Sequence, residues 1–188
     1  MTKKRLIIKV IIVLTILSFH GALLKAAEFE SLPEMTNGHF EMGEDGKPKY
    51  WKRVGDALFK WDDTQSVTPT HSGLIELTKE NSQGAYWELV VDVDPEEDYR
   101  FSGVVKCENL AGKAQVVFVF LDQNGEEIAE PIIKLPEVTG TEEWKKGLTE
   151  EETPAEAYFV SIRCTIIGKG KAWFDNVAAR PAGGMVAY

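Results

Sequence analysis

The chain has few of the residues on which catalytic and metal sites are usually built. It contains two cysteines and three histidines in 188 residues. His20 lies in an amino-terminal apolar segment, and His39 and His71 lie in turn-rich surroundings. No Gly-x-Ser-x-Gly, His-Glu-x-x-His or phosphate-binding loop occurs, and the acidic runs 142–143 and 150–152 are typical of solvated faces. Nothing here supports enzymatic activity, and we predict a protein without catalytic residues.

Basic residues are scarce outside the amino terminus. Five of the 21 lysines and arginines lie within residues 1–27, and none of the 30 acidic residues does. Residues 28–188 therefore hold 16 basic and 30 acidic side chains, a net charge of about −14. A body this acidic repels phosphate backbones and anionic membrane surfaces. We predict that the protein does not bind nucleic acid.

Only one long apolar run is present. It covers residues 6–19, follows the basic cluster Lys3-Lys4-Arg5 and precedes the small residues Ala26-Ala27. The run is shorter than the ~20 residues needed to cross a bilayer, which favours a signal peptide over residues 1–27. We expect a secreted, periplasmic or cell-envelope protein, associated with the membrane only if the signal stays uncleaved. No cysteine lies near the signal, which excludes a lipoprotein.

Sustained helical periodicity is absent after residue 27, and short apolar runs punctuated by Gly, Pro, Asn and Asp take its place. In residues 86–93, Trp87, Leu89, Val91 and Val93 lie on one face, and Tyr86, Glu88, Val90 and Asp92 lie on the other. This spacing predicts an all-β, two-sheet antiparallel β-sandwich with one domain and a loose tail over residues 181–188. The predicted strands are 38–42, 57–61, 73–78, 86–93, 99–107, 114–121, 128–135, 143–149, 157–167 and 171–178.

Two features of these strands leave alternatives open. Residues 114–121 are apolar on both faces, which predicts a strand that is covered on both sides or lines a groove. Cys107 and Cys164 each end a core-facing alternation, so one disulfide and two buried thiols are equally compatible with the sequence.

Five tryptophans on a small acidic sandwich suggest a ligand with flat apolar faces. Sugar rings present such faces, and a rigid aromatic ring matches them at little entropic cost. Their apolar alternation assigns Trp87, Trp144 and Trp173 to the core. Trp61, beside Asp62-Asp63, and Tyr86 are better candidates for exposure. The residues that we predict to bind sugar are Trp61, Tyr86, Glu88 and Arg100.

Six short motifs occur in order along residues 35–180. They are Asn37-Gly38-His39-Phe40-Glu41, Gly46-Lys47-Pro48-Lys49-Tyr50-Trp51, Trp87-Glu88-Leu89 through Pro95 to Tyr99-Arg100-Phe101-Ser102-Gly103, Asp122-Gln123-Asn124-Gly125, Gly140-Thr141-Glu142-Glu143-Trp144 and Gly168-Lys169-Gly170-Lys171-Ala172-Trp173-Phe174-Asp175-Asn176-Val177. In this order they resemble the motifs of the CenC-type carbohydrate-binding modules of bacterial glycanases, families four, nine and twenty-two. One departure is Glu96, which stands where the family has a turn glycine.

The resemblance implies a galactose-binding-like jelly roll over residues 28–180. In that family the opening Glu and the final-strand Asp hold a structural calcium ion. These positions fall on Glu41 and Asp175, with backbone oxygens around Ser72-Gly73, and calcium does prefer six to eight hard oxygen ligands. The resemblance therefore implies Ca²⁺ as a structural ion.

The leading hypothesis is a monomeric, exported bacterial protein that binds a polysaccharide or oligosaccharide without catalysis. The alternative is an envelope structural or adhesion module that contacts protein instead of glycan. A third possibility, a small glycan-cleaving enzyme, needs two facing carboxylates in a groove.

Overall fold

The computed structural model describes residues 37–183, in which all regular structure is β-strand. The predicted signal over 1–27 and residues 184–188 of the predicted tail lie outside the described residues. Within 37–183, no helix is long and apolar enough to span a membrane. The strands are β1 (Gly43–Glu44), β2 (Lys47–Pro48), β3 (Lys52–Val54), β4 (Leu58–Asp62), β5 (Ser72–Asp92), β6 (Asp98–Leu121), β7 (Glu127–Lys134), β8 (Val138–Glu152) and β9 (Phe159–Pro181).

Three long strands, β5, β6 and β9, bend sharply and contribute one half to each of two antiparallel sheets. We call the sheet of β3, residues 85–92, 159–167 and 113–121, and β7 the front sheet. The back sheet consists of β4, residues 72–77, 171–181 and 98–108, and β8. The small hairpin of β1 and β2 forms a two-stranded sheet of its own and is not part of either ladder. The predicted two-sheet sandwich is confirmed, with hydrogen-bonded strands running through the corners between its layers.

Glycines make these corners possible. Gly84, Gly112 and Gly168 have φ values of 77°, 142° and 98°, a region that residues with a side chain rarely adopt. A Cβ on Gly168 would lie 1.9 Å from the carbonyl oxygen of Ala111. Residues 109–112 and 168–170, which read as turns between separate strands, therefore bend single strands instead. Three pairs of strands that were predicted as separate are each one strand in the structure. The pair 73–78 and 86–93 forms β5, the pair 99–107 and 114–121 forms β6, and the pair 157–167 and 171–178 forms β9.

The core lies between the sheets and follows the predicted alternation. Trp87, Leu89, Phe101 and Phe118 are at most 1% exposed, and the rings of Phe101 and Phe118 pack edge to face at 5.0 Å. Trp173 is buried as predicted, whereas Trp144 is only half-buried on β8. Cys107 and Cys164 are buried and unpaired, so two thiols and no disulfide occupy the core.

Residues 38–42 were predicted as a strand and form a turn instead. Phe40 has a φ of 56°, and its N–H donates to the carbonyl oxygen of Asn37. The Asn37 side chain organises the turn by accepting a hydrogen bond from Met42 and donating two to backbone oxygens. Phe40 is nevertheless fully buried, because the turn places its ring flat against Trp51 at 4.4 Å.

Candidate functional site

The outer face of the front sheet carries a cavity of about 340 Å³. Strand register builds it in rows across the sheet. One row aligns Tyr86 of β5 with Thr165 of β9 and Gln115 of β6. The next aligns Glu88, Arg163, Val117 and Lys134, and a third aligns Val90, Ser161, Val119 and Ile132. Residues 114–121 therefore line a groove on one face and fill the core with the other.

Tyr86 and Arg163 form the centre of the cavity. The guanidinium carbon of Arg163 lies 5.3 Å from the centroid of the Tyr86 ring. This distance is typical of a cation–π contact, which holds the half-buried ring in one orientation. An aromatic ring fixed beside a polar guanidinium group offers an apolar surface and hydrogen-bond donors at one place.

Two carboxylates and a hydroxyl hold Arg163. Its Nη2 donates to Oε1 of Glu127 at 2.6 Å, and its Nε donates to the Ser161 hydroxyl at 3.0 Å. The same hydroxyl donates to Oε1 of Glu88 at 2.7 Å, and Glu88 also pairs with the Arg163 Nε at 3.4 Å. Because the Arg163 and Glu88 side chains are only 18% and 19% exposed, solvent screens the attraction between these two charges weakly.

The electrostatic effects of this network fix two protonation states. Burial raises the pKa of Tyr86; the charge of Arg163 lowers it, and Glu88 and Glu127 raise it further. Burial lowers the pKa of Arg163. The hydrogen bond and the charge of Glu127, together with the charges of Tyr86 and Glu88, raise the pKa of Arg163 by more, so that it lies above its ordinary value. At neutral pH the site therefore presents a neutral phenol, which donates and accepts, beside a permanent cation.

An apolar cluster fills the end of the groove nearest to the β6–β7 turn. Its side chains point away from the core yet are buried, since they pack on one another. The cluster comprises Val90, Val117, Val119 and Leu121, with Ile132 and Phe159 packed against it.

The structure brings two of the four predicted sugar-binding residues together. Tyr86 lies in the cavity, and Glu88 is joined to its Arg163. Arg100 lies on the outer face of the back sheet, beside a separate cavity of about 300 Å³, and pairs there with Glu150. Arg100 and Tyr86 therefore face opposite sides of the sandwich.

Trp61 lies away from the groove, in β4 of the back sheet. Its ring stacks on His71 at a centroid distance of 3.9 Å, and its Nε1 donates to the carbonyl oxygen of Phe40. A Cβ on Gly43 would come within 2.5 Å of three atoms of its six-membered ring. These neighbours occupy surfaces that a sugar would need, and they give Trp61 a packing role.

Sequence reasoning missed Arg163, Gln115, Thr165 and Lys134, which line the cavity. The signal that could have found them is alternation, because each occupies the outward position next to a core residue of its strand. What the sequence does not display is the register that aligns them with Tyr86.

Asp175, one of the two predicted calcium ligands, is fully buried and saturated by donors. Its Oδ2 accepts hydrogen bonds from the backbone N–H groups of Val67 and Thr68, both at 2.8 Å. Its Oδ1 accepts from the Thr68 hydroxyl at 2.8 Å and from the Asn176 N–H at 2.6 Å. A carboxylate offers about four lone-pair sites, and donors fill all of them here.

Glu41 holds the other end of the same 63–71 loop, by accepting hydrogen bonds from the N–H groups of Thr70 and His71. Ser72 and Gly73 pair with β4. Within residues 37–183, no group of three or more acidic, histidine or cysteine side chains is placed to hold a metal. Calcium binds to the lone pairs of oxygen atoms, and in this structure the carboxylate oxygens of Asp175 and Glu41 already accept hydrogen bonds from N–H groups. The arrangement therefore does not fit calcium. The ion stays a prediction of the resemblance.

The architecture is a galactose-binding-like jelly roll. No family model and no curated protein matches this chain. Among solved structures, the C-terminal family 22 carbohydrate-binding module of Clostridium thermocellum Xyn10B matches with a TM-score of 0.55 and 16% identity, over 79% of this chain and 98% of that one. TmCBM61 in complex with β-1,4-galactotriose matches with a TM-score of 0.55 and 17% identity, over 80% of this chain and 99% of that one.

The enzymatically active domain of tailspike protein 4 of bacteriophage CBA120 matches with a TM-score of 0.62 and 16% identity, over 79% of this chain. This chain spans 21% of that one. The chain thus has the fold of the carbohydrate-binding modules of families 22, 4 and 61, and the same fold also occurs within larger enzymes.

Proposed function

We propose that the groove of the front sheet binds a polysaccharide or oligosaccharide and that the protein acts without catalysis. The observation that carries this proposal is the Tyr86–Arg163 pair, an aromatic ring held beside hydrogen-bonding groups in a concave site. The ring offers apolar area to the C–H face of a sugar. Arg163, Gln115 and Thr165 offer donors and acceptors to its hydroxyls.

The charges in the groove favour an uncharged glycan. Glu88 and Glu127 neutralise Arg163, and Lys134 lies at the rim of a chain whose described body is strongly acidic. The groove has no concentrated positive charge that would attract a polyanion, whereas an uncharged glycan is not repelled by the acidic protein. The fold neighbours support this choice, since they include modules that bind xylan and one solved with β-1,4-galactotriose.

We further propose that the signal over residues 1–27 exports the protein, so that it meets its glycan outside the bacterial cytoplasm. The only support for this step is the sequence pattern of a basic cluster followed by a short apolar run.

Isothermal titration tests the proposal with xylan, xylohexaose, β-1,4-galactan and β-1,4-galactotriose, followed by a glycan array. We expect saturable binding to at least one neutral glycan, and loss of that binding in Tyr86→Ala. Leu148→Ala, which removes a side chain 53% exposed on the back sheet, is the matched control and retains affinity. Absence of binding across the panel and the array contradicts the proposal.

A further inference from the structure

We infer that the groove binds the terminal sugar rings of a glycan chain, and not a segment within the chain. The inference rests on the proposed function and adds the mode of binding. Its basis is that one end of the groove is closed by the protein's own side chains, whereas the other end is open.

The closed end is visible in the burial of outward-pointing residues. Val119 and Leu121 point away from the core, yet each is only 3% exposed. Ile132 of β7 and Phe159 of β9 pack against Val119 and Leu121 and cover the outer face of the front sheet at this end. A sugar ring cannot lie on that part of the sheet without displacing these side chains, because interiors packed in this way leave little space.

An ion pair marks the same boundary. Glu127 is aligned with Leu121, whereas Arg163 is aligned with Val117, four residues earlier along β6. Four residues of a strand cover roughly 13 Å, so this is the distance along the sheet between the two aligned positions. The side chains of Glu127 and Arg163 bridge it by extending toward each other along the groove. They meet at 2.6 Å between Oε1 and Nη2, and Glu127 is the last residue to line the cavity at this end.

The opposite end lies at the corner of the sandwich. There the cavity is lined by Gln83, Gly84 and Ile167. Gln83 is exposed there, and Gly84 and Ile167 are half-buried, so the outward positions at this end stay accessible, whereas Val119 and Leu121 are buried. A chain that enters from the corner therefore reaches Tyr86 first and stops at Arg163 and Glu127.

The size of the cavity agrees with a short ligand segment. At about 340 Å³ it is near the lower limit of the roughly 300–1,000 Å³ found for small-molecule pockets. A groove that binds the middle of a polysaccharide needs two exits, since the chain continues in both directions. Here one of the two directions along the strands is filled by Val119 and Leu121, and that end offers the Arg163 donors and Glu127 acceptors to the hydroxyls of a terminal ring.

The test counts binding sites on a fixed mass of xylan and of β-1,4-galactan before and after partial acid hydrolysis. A reducing-sugar assay sets the hydrolysis to a tenfold gain in chain ends, and depletion of the protein from solution gives the capacity. We expect the capacity per unit mass of the bound glycan to rise about tenfold. If the array selects another neutral glycan, the same count is made on that one. An unchanged capacity overturns the inference, and absence of binding to every glycan of the panel and the array overturns the proposed function instead.

A variant that opens the closed end extends the test. In the double variant Glu127→Ala with Phe159→Ala, we expect the amount of protein bound per unit mass of glycan to stop rising in proportion to the number of chain ends. Glu143→Ala, which breaks an exposed pair with Lys106 on the back sheet, is the control and behaves like the wild type. If the double variant folds, as judged by its melting curve, and still follows chain ends, these two side chains do not close the groove. The wild-type measurement decides the inference even if the variant does not fold.

Discussion

The guanidinium group of Arg163 lies over the ring of Tyr86, with 5.3 Å between the guanidinium carbon and the ring centroid. Glu88, Glu127 and Ser161 hold the arginine from its other sides. A ring restrained in this way loses little conformational freedom when a ligand stacks on it, and such preorganisation favours affinity. The pair therefore links the charge network of the groove to its apolar surface.

Tyr86→Ala should weaken glycan binding at least tenfold, which is about 1.4 kcal/mol. The substitution removes the apolar surface and the hydroxyl together. Tyr86→Phe keeps the ring and should lose less affinity, because only one hydrogen-bonding group disappears. Isothermal titration measures both, with Leu148→Ala as the control. Equal losses in Tyr86→Phe and Tyr86→Ala would contradict a stacking role for the ring.

Arg163→Met should lower the free energy of unfolding by about 1–3 kcal/mol, since it leaves Glu88 and Glu127 without their cation. Glu88 bears most of the cost, because its side chain is 19% exposed and that of Glu127 is 57% exposed. Urea denaturation measures the change. Adding Glu88→Gln should recover part of the loss, and a double variant no more stable than Arg163→Met alone would argue against the network.

Chelation with EDTA should leave the melting temperature unchanged, and added CaCl₂ should not raise it. The reason is that N–H and hydroxyl donors fill the lone-pair sites of Asp175, and N–H groups also occupy Glu41. Differential scanning calorimetry measures the effect. A calcium-dependent rise of several degrees would establish the ion that the resemblance implies. Asp175→Asn should destabilise the protein whether or not calcium is present, since its NH₂ group faces either the N–H groups of Val67 and Thr68 or the N–H group of Asn176, and two donors cannot pair.

The core could be predicted because side chains alternate between the two faces of a strand, and the apolar face is the buried one. Trp87, Leu89 and Phe101 point inward as their spacing required. Tyr86 and Glu88 belong to the groove for the same reason, being the outward residues of a strand with an apolar inner face. Trp61 and Arg100 could not be placed in this way, because alternation does not say to which sheet an outward residue belongs.

The corners set a further limit on prediction. Gly112 and Gly168 read as turn residues, and in ordinary hairpins they would reverse the chain. Here Gly112 and Gly168 face each other across a bend, and Ala111 approaches the second glycine closely. The strands on either side therefore stay continuous, and which half joins which sheet depends on contacts distant in sequence.

Gly168→Ala should destabilise the protein by more than about 2 kcal/mol, because its Cβ would lie 1.9 Å from the carbonyl oxygen of Ala111 and backbone atoms cannot move aside. Gly140→Ala is the matched control. Gly140 also has a positive φ, 69°, but a Cβ there meets nothing within 4 Å. The control should cost about 1–2 kcal/mol, the strain of the left-handed region alone. Equal losses in urea denaturation would show that close approach does not matter at this corner.

The two thiols should be unreactive in the folded protein. Burial raises the pKa of Cys164 well above its ordinary value of 9.0, and the charge of Asp175 raises it further. Burial also raises the pKa of Cys107, against the Glu142 backbone hydrogen bond, which lowers it. We expect Ellman's reagent at pH 8 to titrate no thiol in native protein and two after denaturation. A reactive thiol in the folded state would contradict the packing.

The same shift predicts how stability depends on pH. A thiol whose pKa is higher in the folded than in the unfolded chain favours folding fully below the unfolded pKa. Above about pH 9 the unfolded chain ionises first, so the free energy of unfolding should fall as pH rises. Cys164→Ala should reduce this slope relative to the wild type. An unchanged slope would assign the alkaline instability to other groups.

The passage of β5, β6 and β9 through both sheets has a consequence for how the molecule opens. Separating the layers requires breaking ladders that continue around three corners, so neither layer can melt while the other persists. Amide hydrogens on the groove side and on the far side should therefore exchange with solvent in one concerted event, at the same free energy. The groove is then as durable as the whole domain, and a weakened corner exposes it to proteases as readily as a substitution within the groove.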